Sequence, residues 1–172
     1  MLEFVIDLFF PTGSGKLTHR IAEAASGDAI PVESWRAGAI KRTLNESGWL
    51  EGEVLAAGQL RQGKTPSLVA MITGWALVEL LRPRRSKSLP RQFVLAVTAG
   101  RVVAFKASGG GDSASNYEVR ISPGECGSWA RGSVYILDGT TLELDGVERI
   151  PVARSNMNGD PNTDELVEAL RP

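Results

Sequence analysis

The chain has 172 residues, 42% of them hydrophobic, and a formal net charge of -1 at pH 7. That length suits one domain with an appendage, the apolar fraction is too high for a disordered chain, and the near-zero charge excludes a global attraction to nucleic acid or membrane. Cys126 is the only cysteine, so an intrachain disulfide and a cysteine-rich metal site are excluded as well.

The charge is unevenly placed. From Arg61 to Lys106 there are nine Lys or Arg and a single acid, Glu79, whereas both flanks are net acidic. A basic block of this kind can steer an anionic partner even in a near-neutral protein.

The N-terminal stretch Leu2 to Phe10 is apolar and reads as a strand, ended by Pro11 and the Gly13-Ser14-Gly15 loop. It carries Glu3 and Asp7 and lacks a basic start and a small-residue cleavage pattern, so no secretory signal is expected. A reducing cytoplasm is the expected location. Lys16 to Ala25 is a candidate helix stopped by Ser26-Gly27-Asp28. A second helix is expected with Ser34 as its N-cap, an apolar stripe of Trp35, Ala39, Ile40 and Leu44, and a stop at Ser47-Gly48. Residues 1–50 therefore read as a helical N-terminal segment.

From Gly52 the pattern becomes that of strands. Val54 to Leu60 is the first, with Gly58 expected to mark a bulge or bend. Ser67 to Leu81 is nearly all apolar. Phe93 to Phe105, FVLAVTAGRVVAF, reads as two strands folded back on each other, with Gly100 supplying a positive φ at the turn. Tyr117 to Ile121 alternates as a strand. Val134 to Leu137, Thr141 to Asp145 and Val147 to Val152 follow, joined by hairpin turns at Asp138-Gly139 and Asp145-Gly146. Pro151 suggests an edge or a strand end. A terminal helix is capped by Asp160 or Asn162, admits Pro161 in its first turn, and buries Leu166, Val167 and Leu170.

Many short strands before one amphipathic helix imply an antiparallel barrel or sandwich with a helix at one end. From about Gly52 to Leu170 the chain resembles a bacterial pleckstrin-homology-like (PH-like) or GRAM-type domain. The resemblance is carried by the opening GEVLAAG, the hairpin VLAVTAGRVVAF, the TLELDG turn and the closing NTDELVEAL helix. It implies an α+β fold, a PH-like β domain over 51–172 with a C-terminal capping helix. It also implies a non-catalytic module that binds phosphoinositide-type lipid, peptide or protein, or that self-associates.

The sharpest string, Pro11-Thr12-Gly13-Ser14-Gly15-Lys16, resembles the phosphate-binding loop of helicase-type NTPases, in which backbone N–H groups and Lys16 would cradle phosphates. The position of that motif's first Gly is Phe10, and its metal-binding Ser/Thr position is Leu17. NTP binding through Lys16 stays as an alternative. The segment Ser67 to Leu81 is followed by Arg82, Arg84, Arg85, Lys87 and Arg91. One reading is a core helix or an oligomer interface with a solvated basic loop after it. The other is a peripheral anchor meeting anionic lipid, because the segment is shorter than the roughly 20 residues needed to span. Trp75 fits either as an apolar contact. The basic loop lacks interleaved aromatics, and nucleic acid is not expected as a partner.

His19 stands alone, so a Ser-His-Asp triad or a two-histidine metal site cannot be assembled from one chain. Cys126, between glycines, has no base near it in sequence and reads as structural. The oxygen-rich run of Asn156, Asn158, Asp160, Asn162, Asp164 and Glu165 hints at Ca²⁺ but lacks the twelve-residue loop pattern, and turn and cap duty explains it better. No metal, cofactor or catalytic residue is expected. The anionic-ligand candidates are Arg82, Arg84, Arg85, Lys87 and Arg91, with Trp75 at an interface or membrane. A self-assembling protein that uses residues 67–81 is the second alternative.

Overall fold

The computed structural model describes residues 29–63, 86–109, 118–154 and 161–172. Within them, β1 is Ile30–Glu33, α1 Ala39–Ser47, β2 Ala56–Gln62, β3 Gln92–Val97, β4 Arg101–Gly109, β5 Glu118–Ala130, β6 Val134–Leu137, β7 Thr141–Leu144, β8 Glu148–Arg154 and α2 Pro161–Ala169. The described residues are mostly antiparallel sheet, with eight strands in the order β1-β5-β4-β3-β2-β8-β7-β6. From β2 the chain steps outward strand by strand to β5. Arg131–Ser133 then carries it across to β6, and β6 to β8 return to pair with β2.

The long apolar run at Phe93 follows from burial on both faces of the sheet. Phe93, Leu95 and Val97 of β3 join Leu60, Val102, Ala104, Ile136, Leu142, Ile150 and Leu166 in one core. Val94 and Ala96 join Val103, Phe105, Val119, Ile121, Ile40 and Leu44 in a second. Thus α2 covers the first face and α1 the second. Trp49 extends the second core, its ring 5.8 Å from that of Phe105.

Gly58 is not a bulge. The β2–β3 register runs without a shift from Ala56↔Val97 to Arg61↔Gln92. Glycine is required because α2 crosses directly over it: a Cβ at residue 58 would lie 2.8 Å from Thr163 Cα and 3.1 Å from Leu166 Cβ. Thr163 Oγ1 donates to the Gln59 carbonyl at 3.1 Å, which ties the helix to the strand at the same level.

The hairpin of β3 and β4 is in place, but Gly100 does not take a positive φ. Thr98 makes the turn instead. Its hydroxyl accepts the Arg101 N–H at 3.2 Å and donates to the Arg101 carbonyl at 3.0 Å. The two Asp-Gly turns are left-handed at both central residues, with φ 51° and 67° at Asp138-Gly139 and 53° and 68° at Asp145-Gly146. Pro151 marks no edge, because β8 lies between β2 and β7. It stands where β8 changes partner, pairing with β7 up to Pro151 and with β2 from Val152. The missing N–H falls where one ladder ends.

The helix expected to start at Ser34 starts later, and a strand precedes it. Ile30–Glu33 is a strand paired with β5. Helix α1 begins only at Ala39, with Gly38 (φ 70°) as its N-cap and no cap from its own side chains. Ser34 is buried and Trp35 is 52% exposed, so neither plays its expected part. The cap comes from the far end of the chain. Asn162, expected to cap its own helix, lies inside α2 with its side chain turned outward to α1. Its Oδ1 accepts the Ile40 N–H at 3.4 Å, and its Nδ2 donates to the carbonyls of Ser34 at 2.7 Å and Arg36 at 3.0 Å. Lys41 and Glu165 add an ion pair at 2.6 Å across the same junction.

Strand β5 runs to Ala130, well past the expected end at Ile121. Ser122-Pro123-Gly124 forms a bulge, since Phe105↔Glu125 and Ala107↔Ile121 leave β5 with two extra residues between those pairs. The expected Lys16–Ala25 helix, the Leu2–Phe10 strand and the Ser67–Leu81 segment lie outside the described residues.

Two substitutions separate these roles in chemical denaturation. Gly58→Ala is expected to cost about 1–3 kcal/mol, because the obstructing atoms belong to the backbone of α2. Gly100→Ala, with nothing within 4 Å of its Cβ, is expected to stay within about 0.5 kcal/mol. Asn162→Leu strands the Ile40 N–H and the Ser34 carbonyl, both in buried bonds, and is expected to cost about 2–4 kcal/mol.

Candidate functional site

The described part of the basic loop is Ser86–Arg91, which leads into β3. Two of its residues, Ser86 and Leu89, are buried, and three, Lys87, Ser88 and Arg91, are exposed. Leu89 is 1% exposed and belongs to the core beneath α2. Gln62, at the end of β2, clamps the loop backbone. Its Nε2 donates to the carbonyls of Leu89 at 2.7 Å and Pro90 at 3.1 Å, and its Oε1 accepts the Ser86 N–H at 3.3 Å. Its own main-chain N–H donates to the Arg91 carbonyl at 2.9 Å.

A second clamp comes from Glu148 at the start of β8. The buried Ser86 hydroxyl donates to Glu148 Oε1, and the exposed Ser88 hydroxyl donates to Oε2 at 3.0 Å. The two serine oxygens lie 2.7 Å apart. The carboxylate nearest the loop is therefore met by two hydroxyl groups.

Lys87 and Arg91 are exposed. Lys106 of β4 is exposed too and stands opposite Phe93, on the sheet face that Arg91 shares by its two-residue offset. Among the described residues, Arg61, Lys87 and Lys106 make no ion pair. Several other cations do: Arg36 with Glu33, Lys41 with Glu165, Arg101 with Glu125, Arg149 with Glu143. Lys87 and Lys106 are thus exposed cations that no ion pair among the described residues neutralises.

Of the residues expected to bind an anion, Lys87 and Arg91 are brought together on this loop. Arg82, Arg84, Arg85 and Trp75 lie outside the described residues, as do Lys16, His19, Asn156, Asn158 and Asp160. Gln62, Ser86, Ser88, Glu148 and Lys106 were not singled out by the sequence. The Glu148 contact spans 62 positions and leaves no local pattern. Gln62 sits in a string that reads as a plain turn.

No group of three or more His, Cys, Asp or Glu is placed to hold a metal among the described residues. Asn162 and Glu165 of the oxygen-rich run are engaged with α1. No helix among them is long and apolar enough to cross a membrane. No family model matches the chain, and no curated protein or solved structure shows significant similarity to it.

Cys126 packs half-buried against the first core, and burial raises its thiol pKa above the ordinary value. A raised pKa keeps the thiol protonated at neutral pH and holds back the nucleophilic thiolate. Alkylation by iodoacetamide at pH 7 is expected to be slower in the folded chain than in urea, with the difference narrowing as pH rises past the folded pKa. A mass-spectrometric time course at several pH values checks both parts.

Proposed function

We propose that this protein is a non-catalytic binding module of the PH-like type that meets an anionic partner through its basic loop. The coarse architecture supports the fold half of that reading. A meander returns to its first strand and carries a C-terminal helix against its inner core, as the PH-like resemblance implies. Closure of the strands into a barrel belongs to the proposal, since the ladders run from β5 through β2 to β6 and none joins β5 to β6 among the described residues.

One observation carries the binding half. Gln62, Leu89 and Glu148 hold the loop by its backbone, its apolar side chain and its hydroxyls, and leave Lys87 and Arg91 outward. A loop held in this way with exposed cations pays its ordering entropy before the partner arrives. Arg82, Arg84 and Arg85 extend the same charge in sequence. The proposed partner is an anionic lipid surface, met from the cytoplasmic side by a peripheral protein. The self-assembly reading rests on residues 67–81 with Trp75, and the NTP reading on Lys16. No described residue favours either.

Sedimentation with vesicles tests this reading. The chain is expected to bind vesicles rich in phosphatidylserine and to ignore phosphatidylcholine alone. Lys87→Glu with Arg91→Glu is expected to weaken binding at least about tenfold at ~0.1 M salt, from roughly 1 kcal/mol per basic residue near such a surface. Binding that is indifferent to both reversals, or equal on neutral vesicles, sinks the proposal.

A further inference from the structure

We infer that Ser88 is a phosphorylation site whose modification opens the clamp on the basic loop. The two serines of the clamp differ in access: Ser86 is 3% exposed, whereas Ser88 is exposed. In sequence Ser88 follows Arg84, Arg85 and Lys87 and precedes Pro90. A serine kinase that selects basic residues before its target reads that kind of context. The reaction is an ordinary phosphoryl transfer from a nucleoside triphosphate. The Ser88 Oγ forms a bond to the γ-phosphorus, the bond from that phosphorus to the β,γ-bridging oxygen breaks, the diphosphate leaves, and the hydroxyl proton passes through the kinase base to solvent.

The consequence follows from what Ser88 touches. Its hydroxyl now donates to both oxygens of Glu148, at 3.0 Å and 3.2 Å. Phosphoserine at that oxygen has no proton to donate at neutral pH and carries about two negative charges. It would set a dianion against a carboxylate at hydrogen-bond distance. The attraction that holds Ser88 becomes repulsion, while Gln62 still holds the backbone of Ser86, Leu89 and Pro90. The freed arm also carries charge that offsets Lys87 and Arg91. The clamp stands on geometry alone. Its effect on partner binding rests on the function proposed above.

The test uses the purified full chain with ATP and a basic-directed serine kinase, read by mass spectrometry and by amide hydrogen exchange. One phosphate on Ser88 is expected, with none on Ser88→Ala. Exchange at the Ser88 amide, which donates to the Ser86 hydroxyl at 3.2 Å, is expected to accelerate roughly tenfold or more, the scale of losing a charge-assisted hydrogen bond. Glu148→Gln is expected to bring the phosphorylated chain back toward the unmodified rate, because its amide can donate to phosphate. Phosphate on Ser86 instead, none on the folded chain, or phosphate on Ser88 with unchanged exchange would each overturn the inference. Exchange needs no ligand, so an unmodified chain that fails to bind anionic vesicles counts against the proposed function and leaves this test intact.

Discussion

The structure depends on the need to cover both faces of β3 and β4. Phe93 to Val97 and Val102 to Phe105 are buried without a break, so neither side of the central hairpin can face water. At about 25 cal/mol per Å², an uncovered face of such strands would forfeit several kcal/mol. The two covers come from opposite ends of the described chain. Helix α1 and β1 cover one side, and α2 covers the other. Neither helix is long, at nine residues each, and an isolated helix of that length is marginal in water. Each is therefore held by tertiary contact more than by its own propensity.

Asn162 joins the two covers. A buried amide is costly unless its polar atoms find partners. Here it satisfies one orphan N–H at the start of α1 and two carbonyls in the chain leading to it. The usual cap residue of α1 is replaced by a glycine, and the cap is supplied from 122 positions away. Helix α1 and helix α2 are thereby made to order together, which binds the first described strand and the last helix into one cooperative unit with the sheet.

Local chemistry was readable in the sequence and distant chemistry was not. The Asp-Gly turns, the central hairpin and the C-terminal helix each rest on neighbouring residues, and each is present. The errors share a cause. Gly58 looked like a bend because glycine usually serves the backbone, whereas here it serves a helix passing overhead. Ser34 looked like a cap because its position in sequence suited one, but the true cap is Asn162. Gly100 looked necessary at its turn because the Thr98 hydroxyl was not credited. The basic loop itself was legible from charge. Its clamps were not, because Gln62 and Glu148 reach it from strands far along the chain.

Those clamps make β2 the strand on which the candidate site depends. It pairs with β3 on one side and β8 on the other, receives α2 at Gly58, and ends in Gln62. The partner strand β8 begins with Glu148, the second clamp. The loop is therefore gripped by the two strands at which the outgoing and returning meanders meet. Its position is set by the packing that fixes the core, with little freedom of its own. In a site built this way backbone carbonyls and serine hydroxyls bear the anchoring of the loop. An acid paired with Lys87 would have ordered the loop equally well and weakened the field that a negatively charged partner would respond to.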